Sequence, residues 1–156
     1  MYFWRTDLLI EDLKQNRVTY ADFKNYYLVS SILILLSFFA LSQAETEDLK
    51  ISLASLIINI GLLITWINAI FMANGGENGH AFLNRFIALY LPITIKINVF
   101  AIVAMICFEL IFNIFKIRFN EAQLAHIDAI KSAGVDMATS FLIYWRICVA
   151  IKKVNS

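Results

Sequence analysis

The chain has 156 residues, of which 60% are hydrophobic and 16% are charged, against about 25% charged in an average soluble domain. This composition leaves too little polar surface for a soluble protein of this length, and it excludes a disordered chain. The 13 basic and 12 acidic residues give a net charge of +1, which excludes the strongly basic surface typical of nucleic-acid-binding proteins. We therefore expect a membrane protein with membrane lipid, and no nucleic acid, among its partners.

The first 25 residues carry eight charged side chains interleaved with leucines, a pattern typical of amphipathic helices at a membrane surface. Thr6 is placed to cap a first short helix, and Thr19 with Asp22 forms the capping-box pattern of a second helix. The sequence therefore predicts an interfacial amphipathic segment over residues 1–25. It runs directly into a first membrane span over residues 26–42.

The second span is the clearest in the chain, because no residue between Lys50 and Glu77 is charged. We expect it over residues 51–73. The segment Asn74–His80 follows and holds three of the five glycines. It lacks the glycine spacing of a phosphate-binding loop, and we interpret it as a tight connector. The alternative is a ligand or partner contact that involves Glu77, His80 and Arg85.

The third apolar region, Phe86 to Phe115, is longer than one span needs and contains Pro92 and Lys96. Two structures fit this pattern. Either an interfacial helix over residues 81–91 precedes a span over residues 93–115, or one long helix with a kink at the proline covers both. We favour the first alternative, because it brings the basic residues of this region near the lipid headgroups.

The last apolar run is preceded by signals for a separate short helix. Asn120 offers an N-cap, a helix over residues 121–133 follows, and Gly134 ends it in the usual position after a helix. The final span is expected over residues 136–152, with Asp136 at its outer edge.

These elements predict an all-α fold with a single domain over residues 26–156 that contains four transmembrane helices. Nine of the 13 lysines and arginines lie on the side of the N-terminus in this topology, and four lie on the other side. By the positive-inside rule, both termini are expected in the cytoplasm and the protein in the inner membrane.

Two polar residues of the predicted spans stand out, because polar groups at membrane depth are costly and mark functional sites. Glu109 and Asn59 are expected roughly 9 and 12 Å inside the outer membrane edge, where a hydrogen bond can join them. This pair is either a clamp between the second and third spans or a proton or cation site. In the second case it lines a cavity or an oligomer axis, and Asn98 is a further lumen residue.

A group of basic residues is expected near the inner face. Long basic side chains reach the headgroups easily, so these residues are either membrane anchors or a pocket for an anionic lipid headgroup or a small anion. The group consists of Lys96, Arg146, Arg85, Lys152 and Lys153.

No catalytic motif is present in the sequence. It contains neither GxSxG nor HExxH, and His80 and His126 fall on opposite sides of the predicted membrane. Cys107 and Cys148 lie in apolar runs and fit small buried hydrophobic residues. We therefore expect no catalytic, cofactor-binding or metal-binding residues and no enzymatic activity.

An amphipathic N-terminal segment followed by four spans with almost no soluble mass resembles the architecture of many small bacterial inner-membrane proteins. Bacteriocin immunity proteins and membrane components of phage-defence or toxin systems are among them, and no functional residue is carried over from this likeness. The expected function is assembly, as a homo-oligomer or as a subunit or regulator of a membrane complex. The alternatives are a homo-oligomeric ion channel or pore lined by Glu109 and Asn59, and a membrane enzyme or anionic-lipid-binding protein.

Overall fold

The computed structural model describes residues 4–42, 49–115 and 121–155. About 91% of these residues are helical and none of them lies in a strand, which confirms the all-α class. The helices in chain order are α1 (Thr6–Lys14), α2 (Tyr20–Ser42), α3 (Leu49–Ala73), α4 (Phe82–Phe115) and α5 (Glu121–Asn155).

Within the described ranges, three helical segments are long and apolar enough to cross a membrane. They are Leu53–Ala73 in α3, Phe82–Asn113 in α4 and Gln123–Asn155 in α5. The 21 residues of the α3 segment cover about 31 Å, which matches a hydrocarbon core of roughly 30 Å. The predicted first span lies within α2, which is not one of the three. The chain therefore has the features of a membrane protein.

The N-terminal helix α1 packs against α4 and α5. Its Leu9 and Leu13 are 0% and 3% exposed, so its apolar side is covered by protein. The predicted cap at Thr6 is wrong, because Arg5 precedes the helix without a side-chain cap. The Thr6 hydroxyl instead accepts a hydrogen bond from Lys96.

The predicted capping box at the start of α2 is confirmed. The Thr19 hydroxyl donates to Asp22 Oδ2 at 2.7 Å, the Asp22 amide donates to the Thr19 hydroxyl at 3.2 Å, and the Thr19 amide donates to Asp22 Oδ2 at 3.2 Å. These bonds favour the ionised carboxylate and lower the pKa of Asp22. The first turn of α2 is thus fixed by two side chains that lie three positions apart in sequence.

A tight turn with a short 3₁₀ helix, Gly76–Asn78, joins α3 to α4. Gly75 has a φ of 104°, a value that L side chains rarely adopt. At Gly79, an added Cβ would lie 2.3 Å from the carbonyl oxygen of Asn74. The glycines therefore serve backbone geometry, as expected for a connector.

α4 runs from Phe82 to Phe115 with Pro92 inside it. The favoured separate helix over residues 81–91 is therefore wrong, and the single long helix is the structure observed. Proline removes one backbone hydrogen bond and crowds the preceding turn, so side-chain packing has to support the helix here. Leu89, Leu91 and Pro92 are all fully buried, which supplies that support.

α5 also continues where an end was predicted. It passes through Gly134 as one helix from Glu121 to Asn155, so the predicted helix end at this glycine is wrong; the predicted cap, Asn120, lies outside the described residues. A glycine inside a helix costs about 1 kcal/mol relative to alanine. Hydrogen bonds from Lys131 to α4 and from α3 to Asp136 hold α5 on both sides of the glycine.

α5 is the central helix of the fold. It packs against α1, α3 and α4, while α2 packs mainly against α4. Leu9, Tyr26, Ile70, Leu89 and Ile147, one from each helix, are at most 1% exposed. They mark a core where α3 ends, α4 begins and α5 ends, and we call this end of the molecule the packed half.

The other end of the molecule is packed far less tightly. Leu35 of α2, Ile57 of α3 and Phe100 of α4 are 67%, 70% and 72% exposed. Many other large apolar side chains of these three helices are also exposed at this end. We call this end the open half. Its apolar surface is left to lipid or to further helices.

Candidate functional site

A cavity of about 370 Å³ lies between α1, α4 and α5 at the edge of the packed half. Lys96 lines it from α4, Arg146 and Lys153 line it from α5, and Thr6 and Asp7 line it from α1. The buried leucines of α1 hold that helix in place, so its docking completes the cavity wall. We call this site the basic cavity.

The basic cavity has the charge to hold an anion. Three cationic side chains and one carboxylate, that of Asp7, line the cavity, so its lining has a net charge of +2. Lys96 Nζ donates to Thr6 Oγ1 at 2.6 Å, and an ammonium has further hydrogens to donate. Arg146 is exposed and forms no ion pair with an acid of the described chain.

The other two predicted basic contacts lie away from this cavity. Lys152 is exposed and does not line it, although its neighbour Lys153 does. Arg85 lines a separate cavity of about 430 Å³, together with Arg17 and Asn16. The structure therefore divides the predicted basic group into separate places.

Arg85 ties the ends of three helices together. Its Nη1 donates to Asn74 Oδ1 at 3.0 Å and to Asn155 Oδ1 at 2.8 Å. Asn155 Nδ2 donates to the carbonyl of Ala73 at 2.9 Å, and Asn74 Nδ2 donates to the carbonyl of His80 at 3.2 Å. Asn74 is only 2% exposed. We call this network, which joins the end of α3 to the start of α4 and the end of α5, the arginine clamp.

Glu109 of α4 forms an ion pair with α5 in the open half. Lys131 Nζ donates to Glu109 Oε2 at 2.8 Å and to Asp128 Oδ1 at 2.7 Å. The Lys131 side chain is 19% exposed, while those of Glu109 and Asp128 are 45% and 54% exposed. One cation therefore bridges two acids that face outward.

Asn59 of α3 bonds to a different residue of α5. Its Nδ2 donates to Asp136 Oδ2 at 2.6 Å, and Ser55 Oγ lies 3.4 Å from the same oxygen. Asn59 Oδ1 is buried and accepts no hydrogen bond from the described residues, while Asp136 is exposed. We call Asn59 and Asp136 the deep pair.

The position of the deep pair follows from the length of α3. Asn59 lies six residues, about 9 Å, from the Leu53 end of an apolar segment as long as the hydrocarbon core is thick. Asp136, bonded to Asn59, lies at a similar level along the helices. Lys131 precedes Asp136 by five residues, about 7.5 Å, which puts the Glu109 ion pair close to the level of the Leu53 end of the α3 segment.

The predicted hydrogen bond between Glu109 and Asn59 is wrong. α5 packs against both α3 and α4, and each of the two polar side chains finds its partner on α5. Asn98 is exposed on α4 and belongs to neither contact. Within one chain, the three predicted lumen residues are therefore not brought to a common site.

Sequence reasoning missed Lys131 and Asp136 as partners because it assigned Lys131 to a separate helix outside the membrane and Asp136 to the outer edge of the last span. The signal that was available is their spacing. On one continuous helix, Asp128 and Lys131 are neighbours at i and i+3, and Asp136 falls only five residues farther along.

An apolar groove of about 610 Å³ lies between α4 and α5 in the open half. Small residues widen it, with Ala101 and Ala104 on α4 and Gly134 and Ala138 on α5. An added Cβ at Gly134 would meet nothing within 4 Å. We call this feature the apolar groove.

In the described ranges, no group of three or more His, Cys, Asp and Glu side chains is placed to hold a metal ion. Comparisons of the chain with protein-family models, with curated proteins and with solved structures found no match.

Proposed function

We propose that the chain is a non-enzymatic membrane protein that works by assembly. It associates with further copies of itself or with the helices of a larger membrane complex. The observation that supports this proposal is the deep pair, in which the Asp136 carboxylate accepts a bond from Asn59 of α3 and is itself exposed on α5.

The physical argument concerns the cost of polar groups in lipid. A charged side chain in the hydrocarbon region costs roughly 2.5–3.5 kcal/mol on insertion scales. Asp136 receives a hydrogen bond from Asn59 but remains exposed, and Asn59 Oδ1 receives none from the described residues. Polar side chains of this kind hydrogen-bond to helices of neighbouring subunits. A second helix over this face therefore lowers the cost of the exposed Asp136 carboxylate.

We place both termini of this chain on the cytoplasmic side of the inner membrane, with α2 as a fourth span in addition to those in α3, α4 and α5. Lys96, Arg146 and the arginine clamp all belong to the packed half, together with α1. This clustering of basic groups is the pattern that the positive-inside rule associates with the cytoplasmic side. Cysteine probes in a variant without Cys107 and Cys148 test the orientation, because a probe at position 78 should react only from the cytoplasmic side.

Native mass measurement in several detergents and in nanodiscs tests assembly. We expect a dimer or a larger species for the unaltered chain. Asp136→Leu and Asn59→Leu should shift it toward monomer, while Asp136→Asn, which still accepts the bond from Asn59, should shift it less. Asn98→Leu is the matched control, because Asn98 is an exposed amide outside this face. Monomer under all conditions refutes self-assembly.

The same preparations distinguish assembly alone from the pore alternative. Because Glu109, Asn59 and Asn98 share no site within one chain, a lumen requires several copies. Cation flux into liposomes that disappears in Asp136→Asn supports a pore lined by the deep pair. Assembly without flux supports the proposed function and rejects the pore.

A further inference from the structure

We propose that the basic cavity and the apolar groove together form a binding site for one anionic phospholipid. The basic cavity takes the headgroup phosphate, and the apolar groove takes an acyl chain. This inference does not depend on assembly, because every residue of the site belongs to one chain.

The two cavities adjoin each other. Ile97, Phe100 and Leu142 line both of them, so the charged site passes into the apolar one over a shared wall. Along α4 the groove extends from Ile97 to Phe108, about 16 Å at 1.5 Å per residue. A ligand that fills both sites has a charged head and a long apolar tail.

The depth of the basic cavity fits a lipid headgroup. Arg146 lies ten residues, about 15 Å, beyond Asp136 on α5, whereas α3 continues about 21 Å from Asn59 to the end of its apolar segment at Ala73. Arg146 therefore lies about 6 Å inside the hydrocarbon edge. A long basic side chain spans that distance to reach a phosphate at the interface.

The charges of the cavity favour an anionic over a zwitterionic lipid. Lys96, Arg146 and Lys153 exceed the one carboxylate, Asp7. A phosphodiester can accept hydrogen bonds from Arg146 and from the ammonium hydrogens that Lys96 does not direct at Thr6. The predicted cytoplasmic leaflet is also the anionic one.

Competition between phosphatidylglycerol and phosphatidylcholine, read by native mass spectrometry of the full chain in neutral detergent, tests the site. Each basic residue near an anionic headgroup contributes about a fivefold preference, so the net charge of +2 predicts one bound phosphatidylglycerol with a preference of roughly 25-fold. Arg146→Gln should reduce this preference about fivefold. Lys96→Gln, which can still bond to Thr6, should reduce it similarly.

Lys152→Gln is the matched control, since it removes a neighbouring charge of α5 that does not line the cavity. It should leave the preference unchanged. Arg146→Lys keeps the charge and should stay within about twofold of the unaltered chain, so it tests the proposal even if Arg146→Gln folds poorly. An equal loss in Lys152→Gln and Arg146→Gln overturns the proposal.

The groove is tested separately by Gly134→Leu, whose side chain has open space to enter. This substitution should reduce the retention of both lipids, because the leucine side chain fills the part of the apolar groove that the acyl chain would occupy. Inorganic phosphate and short-chain glycerophosphate serve as probes without a long tail. If either competes as well as phosphatidylglycerol, or if Gly134→Leu has no effect, the cavity is an anion site and the lipid proposal is refuted.

Quenching by a bromine-labelled lipid tests whether the lipid lies against the basic cavity. Trp145 lines the basic cavity, and Trp4→Phe with Trp66→Phe leaves it as the single tryptophan of three. Brominated phosphatidylglycerol should quench Trp145 at concentrations at which brominated phosphatidylcholine does not. Equal quenching by the two lipids contradicts the headgroup assignment.

Discussion

Replacing Arg85 by methionine tests the arginine clamp, and the expected loss follows from two hydrogen bonds. Arg85 Nη1 donates at 3.0 Å to Asn74 and at 2.8 Å to Asn155. Hydrogen bonds to a charged group contribute about 1.5–3 kcal/mol each. Because Asn155 is exposed, we use the lower end of this energy range for both hydrogen bonds. We also allow for the two energies not being additive. Arg85→Met should therefore lower the free energy of unfolding by about 2–3 kcal/mol.

The assay is thermal unfolding in neutral detergent, followed by helical circular dichroism. At about 2–4 °C per kcal/mol for a chain of this size, Tm should fall by about 5–10 °C. Lys152→Met is the control, because it removes an exposed charge from the same end of α5. It should change Tm by less than about 2 °C, as expected of a surface substitution.

A double-mutant cycle with Asn155→Ala identifies the contact responsible. If the clamp stabilises the fold, the double variant should lose clearly less than the sum of the single losses, since both substitutions remove the same bond. The loss in Arg85→Met should also be equal in nanodiscs of anionic and of zwitterionic lipid. A loss confined to anionic lipid, or one no larger than that of Lys152→Met, would refute the clamp and support the predicted headgroup role of Arg85.

Three further predictions use the same unfolding assay. Gly79→Ala should destabilise strongly, because its Cβ would lie 2.3 Å from a backbone oxygen, whereas Gly134→Ala, with open space around its Cβ, should stabilise by up to about 1 kcal/mol; equal effects would contradict the turn geometry. Lys131→Met should cost more than Glu109→Gln, since the first leaves two acids unpaired and the second leaves the lysine one partner; the reverse order would reject the ion triad. The pKa of Asp22 in the folded state lies below its ordinary value of 3.8. The ionised cap therefore stabilises the folded state fully at pH values above 3.8, and this stabilisation is lost as the pH falls through the lower pKa of the folded state. The Tm difference between the unaltered chain and Asp22→Asn should shrink accordingly on acidification, and a difference that is constant with pH would contradict the capping role.

Local features of the sequence predicted local features of the structure. The Thr19–Asp22 capping box depends on residues three positions apart, and it forms as predicted. The glycine-rich connector and the absence of strands among the described residues also depend on nearby residues. Composition and hydropathy were sufficient for a helical chain with membrane-spanning character, because each apolar run satisfies its own backbone hydrogen bonds.

The helix breaks were predicted wrongly because their outcome depends on distant residues. Pro92 and Gly134 weaken a helix by amounts that packing can offset. The partners that offset them, such as the buried side chains around Leu89 and the contacts of Lys131 and Asp136, become neighbours only after folding.

The sequence by itself determined the helical class, the apolar segments, the cap of α2 and the set of polar residues that any membrane fold must accommodate. The tertiary structure decided which of these residues meet. Because α5 contacts both α3 and α4, Glu109 pairs with Lys131 and Asn59 pairs with Asp136 instead of with each other. The docking of α1 likewise places Lys96 and Arg146 in the wall of one cavity, whereas Arg85 lies elsewhere and forms the arginine clamp. Helical periodicity fixes the face of a helix on which a side chain lies, but only the packing of the helices fixes what that face meets.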